Sequence, residues 1–324
     1  MMTIQSSLPW LWTLPLTALV LFFPAVTFGT AIYAAAFETA GWAKKKTFLS
    51  KLARQCLNLS LATGLIALLL PGAILAAMLS LYPLQFPWPA IWPLSPYYAL
   101  AVLVTCLGLV LLVLASVSWK ACRKARWLRI LLCGLGGVHL AAGLYTAGNA
   151  VLLERTAAVP MAGGSVWLEP FYAHFPLLAG GSGLLLAAIG LGGAGSLGLV
   201  YLVWRRNKDD FGRDYYRYAL PRLVPGTLFL PLQLAGIFLI LLAFSEDPVR
   251  VMQSPFVVSS AGTGLGLCLL AIALAWRVRL SQTPMRHKPS MITTSLLTWL
   301  SLVAFLSAGV AAFWVPLASF LGFG

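Results

Sequence analysis

Apolar residues in this chain neither alternate nor recur every third or fourth position; they continue without a break for whole stretches. Eight such runs stand out, at about 10–37, 49–82, 97–119, 127–153, 170–204, 214–244, 254–276 and 291–320. Each is long enough to cross a hydrocarbon core, which takes roughly 20 helical residues. None shows the two-residue alternation of a barrel strand, and within lipid only a helix satisfies all its own N–H and C=O groups. The pattern predicts an all-α integral membrane protein, a bundle of about eight transmembrane helices forming a single domain over residues 1–324.

The polar residues between the runs are sorted by sign and side. Lys44, Lys45, Lys46, Lys51 and Arg54 occupy the first connection, and Lys120, Arg123, Lys124, Arg126 and Arg129 the third. Arg205, Arg206, Lys208, Arg213, Arg217 and Arg222 occupy the fifth, and Arg277, Arg279, Arg286 and Lys288 the seventh. Only Arg155 and Arg250 remain for the other side. Short basic connections stay in the cytoplasm, so both termini and the even-numbered connections are expected outside, with the chain multi-pass in the cell inner (cytoplasmic) membrane. The second connection, Tyr82 to Pro96, fits: it is uncharged and rich in Trp and Pro. No basic residue precedes Lys44, so the first run reads as a retained helix rather than a cleaved signal.

Composition narrows the function. Of 324 residues 60% are hydrophobic, with 22 Lys and Arg against 8 Asp and Glu. A soluble globular enzyme carries about a quarter charged residues, so that class is excluded. The net charge of +14 falls in four short clusters and not in one patch, which argues against nucleic acid as a partner and for the lipid bilayer as the environment. Cys56, Cys106, Cys122, Cys133 and Cys268 form no CxxC pair and no haem-attachment motif, and read as small apolar residues. Neither a P-loop nor a Rossmann fingerprint is present.

Ionisable groups inside a bilayer are costly, which makes each one a functional candidate. Within the runs these are His139, His174 and Glu38, with Asn149, Tyr145 and Gln233 as uncharged polar groups. A membrane relay of carboxylates is missing, so proton pumping through this chain is not expected. A neutral imidazole is the usual axial ligand of a b-type haem, and His139 and His174 are the candidate ligands of its iron. Depth separates them: His139 lies about 14 residues, roughly 21 Å, from the outer end of its run, and His174 only about 5 Å. The plainer alternatives are a hydrogen bond from His139 to a neighbouring helix and an interfacial His174 touching water. The run at 170–204 is rich in glycine, which suits either close helix packing or a flat ring such as a quinone. Asn149, Tyr145, Gln233, Glu154 and Glu169 are candidates for handling quinone or for docking.

Phe23-Pro24-Ala25-Val26-Thr27-Phe28-Gly29, followed by a small-residue stretch to Glu38 and a basic turn to Leu52-Ala53-Arg54, resembles the opening of subunit I of cytochrome bd quinol oxidases. Gly148-Asn149, His174 near the outer start of the fifth run, Gln253-Ser254-Pro255 and Gly264-Leu265-Gly266 continue the order. The resemblance implies a respiratory quinol-linked membrane subunit with His174 in the position of a low-spin haem ligand. Departures accompany it. Val20 stands where that family has a haem histidine, and no acid occurs in 97–119, where it places glutamates. Ser260 and Gly262 replace its arginine and its methionine ligand. A relative lacking these groups is not expected to reduce oxygen.

Two readings follow. In one, the chain passes electrons between the quinone pool and an extracytoplasmic multihaem c-type cytochrome, with one haem b. In the other it is a haem-free, NrfD-like membrane anchor that binds quinone and holds an iron–sulfur or cytochrome subunit beside other membrane subunits. An inverted-repeat transporter is set aside because no paired broken helices are visible in the sequence.

Overall fold

The computed structural model describes residues 4–81, 95–121, 125–156, 169–209, 211–244 and 253–320. Among these it is all-α. Eight helical spans are long and apolar enough to cross a membrane, and each overlaps one of the eight runs. The first four are single helices: α1 (Ile4–Ala43), α2 (Thr47–Leu81), α3 (Ser95–Ala121) and α4 (Arg126–Thr156). Spans 5 and 6 are each built from two. Span 5 runs from α5 (Glu169–Ala187) through a π turn (Ala188–Gly192) into α6 (Gly193–Arg205). Span 6 runs from α7 (Arg213–Leu223) through a 3-10 segment (Val224–Phe229) into α8 (Leu232–Phe244). α9 (Pro255–Leu280) and α10 (Lys288–Phe320) complete the set. The protein is thus a multi-pass membrane helical bundle.

The chain groups into two compact units. One comprises residues 23–175 and 205–219, and the other residues 1–22, 176–204 and 220–324.

In the first unit, hydroxyls and glycines hold the helices together, as expected where lipid tails compete equally for apolar side chains. Ser60 Oγ of α2 donates to the Thr27 carbonyl of α1 at 2.7 Å, and the Thr27 and Thr63 hydroxyls meet at 2.9 Å. Helices α3 and α4 run backbone against backbone: a Cβ on Gly108 would stand 2.9 Å from the Gly136 carbonyl, and one on Gly143 3.0 Å from that of Ala101. A polar clamp fixes the basic connection after α6. Gln55 Nε2 donates to Asp209 at 2.6 Å, the Tyr215 hydroxyl donates to Gln55 Oε1, and Arg205 pairs with Asp209. Rings of Phe48, Phe211 and Tyr216 close on Tyr215, while Lys51 Nζ lies 4.7 Å from the Phe211 centroid.

In the second unit an apolar cluster of Leu230, Ile237, Leu241, Val257, Cys268, Ala271, Leu297, Phe305 and Ala308 joins α8, α9 and α10. The breaks in spans 5 and 6 touch each other. Span 6 breaks because Pro221, Pro225 and Pro231 lack an N–H and cannot continue the i to i−4 ladder. The Thr227 carbonyl, left without its α-helical donor by Pro231, accepts from Leu230 N–H at 3.1 Å in a tighter turn. Opposite it, Ala-Ile-Gly-Leu-Gly lets span 5 widen into a π turn. Spans 5 and 6 follow one another in the chain, so these turns are not the matched broken helices of two inverted repeats, but their contact in space is a relation no periodicity test detects.

Candidate functional site

His139, Glu38 and Gln233, each a residue the lipid environment makes expensive, lie within the described spans, as do Gln55 and Tyr215 of the clamp described above.

His139 sits in α4, half-buried at the edge of an outward strip that includes exposed Leu135 and Val138. Its Nδ1 lies 2.8 Å from the Leu135 carbonyl one turn earlier. A carbonyl oxygen only accepts, so Nδ1 carries the proton and Nε2 keeps its lone pair in the neutral ring. The bond to a neighbouring helix considered above is replaced by one within the same helix. Imidazoles that ligate a metal through Nε2 are usually held in this tautomer by such an Nδ1–H to carbonyl bond.

Glu38 of α1 is 1% exposed and pairs at 2.7 Å with Arg129 of α4, itself 7% exposed. The contact is an ion pair, and both Glu38 carboxylate oxygens and Arg129 Nε have no hydrogen-bond partner among the described residues. Arg129 also donates to the Trp119 carbonyl at 3.4 Å and lies 4.7 Å over the Trp119 ring. Counted as a connection residue from its position in the sequence, Arg129 is in fact buried within span 4. Helix α4 starts at Arg126, one turn before it, so its side chain faces the helices and not water. Removing one member of a buried pair costs about 3–5 kcal/mol because the other charge stays behind.

Gln233 lies in the first turn of α8, directly after the break in span 6. It is fully buried, and neither Oε1 nor Nε2 has a hydrogen-bond partner among the described residues. An unpaired buried amide costs about 1–3 kcal/mol. The glycines of span 5 near this level are closed by neighbouring helices. A Cβ on Gly195 would meet the Leu223 carbonyl at 2.9 Å, and one on Gly181 the Gly236 carbonyl at 2.8 Å. At these positions close helix packing is the structural role, and a flat ring does not fit between them. Gly183, by contrast, has nothing within 4 Å of its Cβ position.

No family model, no curated protein and no solved structure matches the chain.

The remaining candidates divide by place. Tyr145 is half-buried in α4, six residues beyond His139 and therefore on a different face. Gln233 belongs to the other compact unit from His139 and Tyr145. Asn149 and Glu154 fall in α4, and His174 and Glu169 in α5, but their side chains lie outside the described residues. A shared iron between His139 and His174 is therefore not placed. Among the described residues no three His, Cys, Asp or Glu side chains gather as a metal site. Cys56, Cys133 and Cys268 are buried free thiols, and Cys106 is a free thiol on an outward face. Sequence reading missed the role of Arg129 and the helix breaks. The spacing of Pro221, Pro225 and Pro231 around Gly226 was the available signal for the second.

Proposed function

We propose that the chain is the membrane subunit of a respiratory electron-transfer complex, passing electrons between the quinone pool and an extracytoplasmic multihaem c-type cytochrome through one b-type haem. The observation that supports this reading is the orientation of His139: an imidazole inside a span whose Nδ1–H is directed to the Leu135 carbonyl, which turns Nε2 away from that bond. A ring held in this way is oriented to ligate iron through Nε2. Its half-exposed position favours an iron held at the margin of this chain, where another membrane subunit supplies the opposite wall. His174 is the second candidate ligand. The likeness of the Phe23 to Gly29 segment to cytochrome bd subunit I supports the same respiratory setting. The basic connections support an inner-membrane placement with both termini outside.

A second reading, the haem-free NrfD-like quinone-binding anchor for an iron–sulfur or cytochrome subunit, is favoured by a different observation, the unpartnered Gln233 amide between helices. One measurement separates them. In a dithionite-reduced minus oxidised spectrum of the purified complex, the sharp α-band of a low-spin b haem is expected, and it should disappear in His139→Ala. A flat spectrum, with no Soret absorption, removes the haem and leaves the anchor. Persistence of the band in both His139→Ala and His174→Ala assigns the haem to another subunit.

A further inference from the structure

We infer that the basic end of spans 2 and 6 binds an anionic phospholipid with two phosphates, through Lys51 and Arg54 of α2 and Arg213 and Arg217 of α7. The inference stands apart from the electron-transfer reading and uses residues of one compact unit alone.

Two helices begin side by side here, α2 at Thr47 and α7 at Arg213. Aromatic contacts join their first turns. The Phe48 ring lies 5.8 Å from that of Tyr215 and 5.5 Å from that of Tyr218, and the Phe211 ring 4.8 Å from that of Tyr215. Deeper in α2, Gln55 bonds to both Asp209 and Tyr215. Lys51 Nζ lies over this patch, 4.7 Å from the Phe211 centroid and 5.8 Å from that of Phe48. Contacts therefore set a cation of α2 directly on the segment that leads into Arg213.

Positive charge is left over at this end. Residues 44–54 and 205–217 carry ten Lys and Arg against three Asp, and Asp209 is taken by Arg205. Lys51, Arg54, Arg213 and Arg217 are exposed and form no ion pair among the described residues, and the same holds for Asp214 in the first turn of α7. Lys51 and Arg54 are three apart on one helix, Arg213 and Arg217 four apart on the other, so each pair consists of neighbouring like charges that repel. Each helix also brings its N-terminus, the positive end of its dipole, to this side, and α2 has no acid in its first turn to offset it. A phosphate relieves both effects, because it is favoured between paired cations and near a helix N-terminus.

Depth selects the ligand. Lys51 lies four residues into span 2 and Arg217 four into span 6, roughly 6 Å from the start of each. That is about the thickness of the headgroup layer. Lipid phosphates occupy this layer already, whereas an acidic segment of a soluble protein has to enter it. Two cation pairs on two adjoining helices match two phosphates on one short linker, and basic patches between spans at this level are suited to such headgroups.

The test uses the full chain in nonionic detergent, titrated with cardiolipin and, at equal phosphate, with phosphatidylglycerol. Retained lipid is counted by native mass spectrometry, and the thermal midpoint is followed on the same samples. One cardiolipin is expected to stay bound, with a saturable rise in the midpoint and an affinity at least fivefold above that of phosphatidylglycerol. In Arg54→Gln/Arg217→Gln, which removes one cation from each pair, that affinity should fall tenfold or more. Arg277→Gln/Arg279→Gln loses the same charge from another basic segment and should stay within twofold of the parent. Without lipid, Arg54→Gln/Arg217→Gln should unfold at or above the parent's midpoint, because each helix loses a like-charge repulsion. Equal weakening in the two double variants, equal affinity for the two lipids, or no retained cardiolipin overturns the site. A soluble glutamate-rich peptide that binds through Arg54 and Arg217 where cardiolipin does not assigns the patch to an acidic protein and overturns the lipid.

Discussion

The polar residues of this protein differ in what a substitution should reveal. Glu38 and Arg129 are a buried pair with few other partners, so breaking the pair and deleting it have opposite consequences. Glu38→Gln or Arg129→Met alone should destabilise by about 3–5 kcal/mol, while the double replacement should recover most of that loss. Equilibrium unfolding of the four proteins in mixed micelles checks this, and additive losses would show that the two side chains do not depend on each other. Trp119, which faces the guanidinium, is the third member of the group. His139 and Gln233 are of another kind: His139 bonds only to a carbonyl of its own helix, and the Gln233 carboxamide has no hydrogen-bond partner among the described residues. If His139 holds the proposed haem, its substitution is expected to change the spectrum far more than stability.

At the level of elements, the contacts of glycines decide which helices are closed and which faces are open. Gly195 brings span 5 against the backbone of span 6, with Leu223, Gly226 and Thr227 all near its Cβ position. Gly195→Ala should therefore cost about 1–3 kcal/mol by overpacking. Gly183→Ala, on the same span but with an open Cβ position, should gain up to about 1 kcal/mol from helix propensity. Thermal unfolding of both variants gives the comparison, and equal shifts of one sign would contradict the contacts described. The threonine of the Phe23 to Gly29 segment also acquires a role here. Thr27 accepts from Ser60 through its carbonyl and donates to Thr63 through its hydroxyl, which clasps α1 to α2. That part of the resemblance is accounted for by helix packing alone.

For the whole molecule, topology is the property with the sharpest test. The basic connections predict that alkaline phosphatase fused after Lys208 is inactive and that the same enzyme fused after Gly324 is active, as an extracytoplasmic C-terminus requires. The reverse pattern would invert the orientation and move every outward-facing candidate, His174 and Glu169 among them, to the cytoplasmic side. The Gln55, Asp209, Arg205 and Tyr215 clamp ties the start of the fifth connection to α2 and α7.

Length and apolarity of the runs were enough to specify eight membrane helices, because the cost of an unpaired backbone group in lipid leaves a long apolar run one conformation. The same runs marked His139, Glu38 and Gln233 as unusual, since any polar group stands out against such a background. What they left open was every relation between helices. The pairing of Glu38 with Arg129 spans 91 positions of chain and depends on α1 and α4 lying side by side. The tautomer of His139 depends on its ring turning back to Leu135. The break in span 6 was written in its prolines, but its meeting with the π turn of span 5 was not. Hydropathy records how each segment meets lipid, whereas a site inside a bundle is made by how segments meet one another.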